Sequence, residues 1–469
     1  MLSKCNRFTV VGGLMLLAVP HASAITLTNF DQFTPLTSSA GPIPVNGAGE
    51  ATPITFGNSA WKQTSIADRT TQNSLVANSN SGAWDMVTAN ETGPDAGRYL
   101  FMPFETGTAG VQRVDLRDPN YNTRTVTIVA PGTQGFVVGD ASRWTPWGTY
   151  LTAEESWGAG STKGRLFEVT NPVTATANGG TMVHRSIVAR VSHEGLAFDA
   201  AKNMYYIDEL NGGSLYKFTS DNPNATNGND YFAFGTNSVL RVGTGNTDNA
   251  VGAYQWIDFS DENGVFAGGI TTNGSADGRA TTDLAAYKGT NYQRPEDYEI
   301  QTIGGVERLY VATTSTNEVY VLNLNTNEIS VFANAATIDL ATGLAVGAGS
   351  FTSPDNIAID SEGNIYIIED RNGGVDNDIW FANDINKDGD LLDAGEGIAR
   401  WASNGTQGSE FTGLYFDKFD PNLAYVNIQH PTSGNDRMIL INASVPEPAT
   451  MSLLGLAGLL LARRNRRIA

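Results

Sequence analysis

The stretch Ser353–Asp370, SPDNIAIDSEGNIYIIED, reads as a tight β-hairpin with one polar end. Ile357, Ile359, Ile365 and Ile367 recur at period two, the pattern of a strand with one buried face. Asp360-Ser-Glu-Gly363 supplies the turn between them. The chain goes down and comes back, so the start of the first strand and the end of the second share an edge. Asp355, Asn356, Glu369 and Asp370 meet there, placing oxygen-bearing side chains at one end of an otherwise apolar hairpin.

The unit repeats. SHEGLAFDAAKNMYYIDEL (Ser192–Leu210) opens on His193-Glu194 and closes on Asp208-Glu209. RPEDYEIQTIGGVERLYVATT (Arg294–Thr314) opens on Glu296-Asp297 and turns at Gly304-Gly305. SEFTGLYFDKFDPNLAYVNIQHP (Ser409–Pro431) turns at Asp420-Pro421-Asn422 and closes on Gln429-His430. TPWGTYLTAEE ends a closing strand in Glu154-Glu155, and RYLFMPFE ends another in Glu105. Apolar strands such as GRLFEV, SLYKF and EVYVLNL follow the closing strands. A repeat of roughly 50–60 residues built of strands and turns predicts an all-β fold, a six-bladed β-propeller. Such a ring gathers the polar ends of its innermost strands at one metal-binding mouth.

The termini read differently. Residues 1–24 carry Lys4 and Arg7, the apolar run Phe8–Pro20 and Ala22-Ser23-Ala24, the order of a Sec signal peptide without a twin arginine. Cys5, the single cysteine, lies within it, so the mature chain has no disulfide or thiolate ligand. Residues 25–81 are rich in Ser, Thr, Asn and Gly and read as a leader that closes the propeller, which spans 82–444. Residues 445–469 begin Val-Pro-Glu-Pro, run apolar from Met451 to Ala462 and end in an arginine cluster. That tail resembles a PEP-CTERM sorting signal, which implies processing by an exosortase in a Gram-negative bacterium and a surface or extracellular location. Removing 1–24 and 445–469 leaves 23 basic against 48 acidic residues, a net charge of −25. A surface so acidic repels nucleic acid and anionic membranes.

The mouth candidates are almost all oxygen donors: Glu154, Glu155, Glu194, Asp208, Glu209, Glu296, Asp297, Asp355, Asn356, Glu369 and Asp370. Converging carboxylates repel unless hard cations such as Ca²⁺ sit between them; Fe³⁺ also accepts carboxylate. His193 and His430 are the candidate nitrogen donors, read as orienting groups. Arg294 is either a salt bridge to Glu296 or a bidentate fork for a tetrahedral oxyanion such as phosphate. Metals with an arginine are the parts of metal-assisted phosphoryl transfer. Separately, Asp384, Asn386, Asp388 and Gly389 match positions one, three, five and six of an EF-hand-like calcium loop, with Glu396 at thirteen instead of twelve.

TPWGTYLTAEE, SHEGLAFD, RPEDYEI, SPDNIAID and NIQHP in this order resemble the PhoX-type alkaline phosphatases, over about Asp140 to Pro431. The resemblance implies a six-bladed propeller hydrolysing phosphate monoesters with a cluster of ferric and calcium ions. By motif, it makes Glu154 or Glu155, Glu194, Glu296, Asp355 and Asn356 metal ligands and Arg294 the phosphate-binding arginine. It implies a metal-bridging oxide or hydroxide as the nucleophile. Two departures stand out. The family's iron-ligating cysteine falls near Asp140, where no cysteine is available, and the family's twin-arginine signal is absent. Both favour a harder, calcium-based site in which Asp140 takes part.

The leading expectation is an exported monomeric phosphatase acting on small phosphate esters. The alternatives are a non-catalytic calcium-stabilised surface propeller and a calcium-dependent lactonase-like hydrolase. SPDNIAID and GNIYI fit the lactonase reading, whereas RPED and NIQHP do not.

Overall fold

The computed structural model describes residues 30–75, 82–158, 161–266, 271–272, 275–371 and 377–443. The expected signal peptide, the sorting tail and parts of the leader lie outside them. Six antiparallel blades stand around one channel. Blade one runs Thr88–Ala89, Tyr99–Pro103, Val111–Asp115, Thr125–Val129 from the channel outward. Blade two runs Gly139–Trp144, Tyr150–Glu154, Leu166–Val169, Met182–His184. Blade three begins Leu196–Phe198, Met204–Ile207, Leu215–Ser220. Blade four is Pro295–Ile303, Val306–Thr313, Glu318–Asn323, Glu328–Ala333. Blade five is Pro354–Ile359, Ile365–Glu369, Asn377–Asn383, Gly397–Asn404. Blade six is Glu410–Phe416, Leu423–Gln429, Arg437–Asn442 and a fourth strand from far upstream, Lys62–Asp68.

That borrowed strand pairs with the last strand of the ring, Lys62 opposite Asn442 and Asp68 opposite Arg437. It covers the edge at which the ring would open. Ile54–Phe56 adds to the outermost strand of blade five. Phe30 and Trp61 lock this corner against Trp401, with ring centroids 5.0–5.8 Å apart for Phe30 with Trp61, Trp401 and Phe416.

Two expectations need correction. The Ile357–Ile367 hairpin buries both faces. Ile357, Ile365 and Ile367 pack with Tyr310 and Trp380, while Tyr366 and Ile368 pack with Trp401 and Phe416. A blade is stacked between two neighbours, so the alternation sorts residues between two cores and not between core and water. In the sequence alone, Thr219–Asn291 reads as the longest interruption between hairpin units, with an Asn/Asp/Gly-rich part at Asn273–Asp283; in the structure the stretch supplies Gly235–Val242 and Gly252–Asp258, the outer strands of blade three. The second of these pairs with blade four through Gly252 and Ile329.

Deleting residues 25–68 removes the closing strand and Trp61. The expected outcome is a fall in the thermal midpoint of order 10 °C or more and a broadened transition, read by calorimetry.

Candidate metal centre

Each innermost strand delivers one carboxylate to the same end of the channel: Asp85, Asp140, Glu194, Glu296, Asp355 and Glu410, one per blade, all buried. Ligand oxygens of Glu194, Glu296 and Asp355 lie within 4.8 Å of one another. A second tier stands at the ends of the adjoining strands: Glu105, Glu155, Glu209, Thr314, Asp370 and His430. Most of both tiers line a cavity of about 450 Å³. A second, smaller cavity is lined in part by residues one to four places further along the chain from the ring carboxylates, among them Met86, Ile357 and Leu414.

The backbone repeats with the side chains. Two residues before the ring carboxylate, Ala83, Val138, Arg294 and Ser353 adopt left-handed φ of 47°, 42°, 52° and 48°, and Gly408 takes 73°. This conformation is costly for alanine and more so for β-branched valine. It turns a carbonyl to meet the neighbouring strand. The carbonyls of Ala83, Val138, Ser192, Arg294 and Ser353 accept from the N–H of Glu105, Glu155, Glu209, Thr314 and Asp370 at 2.8–3.0 Å. One bond per blade thus ties the two tiers together. In blades two, four and five the pairing slips beside the carboxylate, between Gly139 and Ser142, Pro295 and Tyr298, and Pro354 and Ile357. These bulges re-aim the acid into the channel. Blade six departs from the pattern: the His430 N–H donates to Asp436 at 2.9 Å.

Burial and mutual repulsion push these carboxyls up. Burial raises Glu194 well above the usual range, helped by Asp140, Asp355 and Glu296. Asp355 rises through burial, then Glu296 and Asp370. Asp140 rises through burial, then Asp85 and Glu155. Glu296 is pushed up to about 8 by burial, with Arg294 opposing. Asp140 Oδ1, Glu194 Oε2 and both Glu296 oxygens are buried without a hydrogen-bond partner. Buried acceptors of this kind fit a hard cation that supplies what water has lost.

Arg294 is the cation of the cavity wall. It donates from Nε and Nη2 to Glu209 Oε1 at 3.1 and 2.6 Å and stands 3.3 Å from Glu296. Burial opposes its charge, but Glu296 and Glu209 outweigh burial and hold the guanidinium above its ordinary value. The Trp157 ring lies 5.1 Å from its guanidinium carbon. His430 bridges Glu105 and Glu410 at 3.4 and 3.7 Å, and its hydrogen bond to Glu105 raises its pKa.

Several expected donors are not brought into the mouth. Strand alternation turns Glu154 to the opposite side from Glu155. Glu154 pairs with Arg165 at 2.5 Å and accepts from the N–H groups of Gly164 and Arg165. Asp208 accepts from the Ser192 N–H at 2.9 Å. Asp297 accepts from the Ile357 N–H at 3.0 Å, and Asn356 from the Gly413 N–H at 2.7 Å; each clips one blade to the next. Glu369 accepts from the Thr352 N–H and faces Arg371. His193 is buried against Tyr206, and burial depresses its pKa to about 3. Asp140, Glu155, Glu194, Glu209, Asp355, Asp370 and His430 do line the cavity, with Arg294.

The sequence reading left Asp85, Glu105, Glu410, Gln429 and Trp157 out of the site. Trp84-Asp85 and Ser409-Glu410 stand where Pro354-Asp355 does in its unit, a signal that aligning the units would have used. Trp157 sits in a loop and carries no periodic signal. In the separate acidic loop, Asp384 accepts from the N–H groups of Asp388 and Gly389, and Asn386 donates to Asp388 and Asp393. The displaced Glu396 folds back to accept from Ile385 and Asp393.

The family model for alkaline phosphatase PhoX matches residues 131–432, and that for the PEP-CTERM protein-sorting motif matches 444–467. Among solved structures, Pseudomonas fluorescens PhoX in complex with vanadate is similar, with a TM-score of 0.60 and 16% identity, covering 87% of this chain and 98% of that one. A luciferin-regenerating enzyme matches with a TM-score of 0.42 and 8% identity, over 81% of this chain and 95% of its own. The Myceliophteria thermophila Cps50 (Swd1) β-propeller domain matches with a TM-score of 0.38 and 10% identity, over 77% and 97%. No curated protein matches the sequence.

Two outcomes are expected from this geometry. Glu154→Gln breaks a buried ion pair and costs about 3–5 kcal/mol in urea unfolding without changing metal content. Glu155→Gln lowers metal content and leaves the metal-free protein as stable or more so. The second outcome concerns pH. Between about 4.5, the ordinary glutamate value, and about 8, where Glu296 titrates, the metal-free fold holds more protons than the unfolded chain. Its stability therefore falls as pH rises through that window. The urea midpoint of chelated protein is expected to be higher near pH 5 than near pH 8, and calcium, whose binding displaces protons, is expected to reverse the order.

Proposed function

This chain belongs to the alkaline phosphatase PhoX family, and on that premise we propose that it hydrolyses phosphate monoesters in a metal-dependent reaction outside the inner membrane. The observation that carries the reading is the convergence of Glu194, Glu296 and Asp355 within 4.8 Å, beside an arginine, at the mouth of a propeller. Asp85, Asp140, Glu155, Glu209 and Glu410 extend the donor set around the same cavity. All are hard oxygen donors, which suit several calcium ions. No cysteine is present after residue 5, so ferric iron would have to be held without a thiolate. Bound cations would neutralise the phosphoryl oxygens and activate the attacking water.

The chain's own groups have separable tasks. The Arg294 fork, now donating two N–H groups to one Glu209 oxygen, matches two oxygens of a phosphoryl group bidentately. Glu209 is both a cation donor and the present partner of Arg294, so one carboxylate links metal content to the freedom of the fork. His430, held by Glu105 and Glu410 at the cavity rim, is placed to carry a proton to the leaving oxygen. Asp384, Asn386 and Asp388, with Glu396, are read as a separate structural calcium loop. The PEP-CTERM motif points to export and sorting at the cell envelope. Cleavage of the tail by an exosortase, display at a Gram-negative surface and a monomeric state complete the proposal.

One observation favours a second reading, a calcium-stabilised propeller without catalysis: Arg294 is already neutralised by Glu209 and Glu296. Hydrolysis of p-nitrophenyl phosphate by the mature domain separates the two, with metal content measured on the same sample. The expected result is activity lost on chelation, restored by calcium, and reduced about 100-fold in kcat/KM by Arg294→Ala. No turnover by folded, metal-loaded protein would leave the non-catalytic reading standing.

A further inference from the structure

Trp157 is the one Trp, Tyr or Phe among the described residues lining the mouth, and 46% of it is exposed. It is not a loose side chain. Its indole N–H donates to Glu209 Oε2 at 2.8 Å and also to Glu155, which fixes the ring plane beside the Arg294 guanidinium. The loop that bears it is pinned by a residue distant in sequence. Arg279, in the short helix Gly278–Thr282, donates to the carbonyls of Ser156, Ser161 and Lys163 at 2.5, 3.0 and 3.2 Å. Arg279 is buried and paired with buried Asp277 at 3.0 Å. The Ser156 N–H donates to Ser192 Oγ at 2.9 Å. The Thr219–Asn291 segment thus supplies an anchor whose result is a held aromatic plate at the rim of a cavity otherwise lined with polar groups.

We propose that Trp157 determines specificity by stacking on a planar group of the ester, so that nucleoside monophosphates and aryl phosphates are preferred to purely aliphatic phosphates. The inference rests on the phosphatase reading above. A phosphoryl group gripped at Arg294 leaves its organic part to run along the neighbouring wall, and Trp157 is the broad apolar face there. Stacking a base on an aromatic side chain is tolerant of base identity and favourable enough to change affinity by about tenfold. A ring already ordered by its N–H bonds loses little freedom on stacking. The Glu155 and Glu209 bonds give the opposing possibility, that the indole serves only to position those carboxylates.

The test compares adenosine 5′-monophosphate with methyl riboside 5-phosphate, which share the phosphoryl group and the primary leaving oxygen and differ in the base. Metal-loaded wild type is expected to favour the nucleotide about tenfold in kcat/KM, expressed in KM. Trp157→Ala is expected to bring the ratio of the two kcat/KM values close to one. Trp157→Phe, which keeps the face and loses the N–H, is expected to retain most of the preference at unchanged metal content. An equal rate on both esters in wild type, a preference that survives in Trp157→Ala, or equal metal loss in both variants overturns the platform and leaves the phosphatase reading intact. No hydrolysis of either ester by metal-loaded wild type overturns both.

Discussion

Six carboxylates, one from each blade, are confined at one end of the channel by the closure of the ring, five of them lining one cavity, and their repulsion must be met by protons or cations. At Glu296 burial keeps water from doing it: the side chain is fully buried, and neither of its oxygens has a hydrogen-bond partner. The rest of the architecture bears on keeping those groups together. If the blades could splay, Glu194, Glu296 and Asp355 would separate and the strain would dissipate. The strand Lys62–Asp68, paired to the last strand of blade six, is what prevents this. The clips from Asp297 to Ile357 and from Asn356 to Gly413 hold neighbouring blades at the same height in the channel.

The confinement is written in the main chain as much as in the side chains. A left-handed residue two places before the carboxylate recurs in five of the six blades, a bulge beside the acid in three, and in five blades an N–H···O bond joins the inner tier to the outer. A valine and an alanine in that conformation carry local strain that the surrounding sheet enforces. Energy stored in this way keeps the acids aimed before any ligand arrives, which lowers the reorganisation a bound ion or phosphoryl group would demand.

Much of this was legible in the sequence because the repeated hairpin has few conformational options. The alternation at Ile357–Ile367 and the polar pairs at each strand end gave the blades and the common mouth. What alternation alone could not decide was which member of each polar pair faces the cavity. Glu155 does and Glu154 does not; Asp355 does and Asn356 does not; Asp370 does and Glu369 does not. The bulge decides in the opening strands, and pairing registers are invisible in composition. Asp85 was passed over because its unit lacks the full hairpin pattern, and Glu410 because its unit was recognised by its turn and closing end and not by its opening pair. Trp157 owes its place to Arg279, more than a hundred residues away in sequence, and contacts at that separation leave no local trace.

The direction of the strands in blade six has a consequence for how the molecule is presented. Leu423–Gln429 climbs to the cavity, and Arg437–Asn442 descends from it, so Ala443 leaves the propeller on the face opposite the carboxylate ring. A tether attached beyond Ala443 therefore holds the molecule by its base. The opening of the cavity and the point at which the chain departs toward the sorting motif lie on opposite faces.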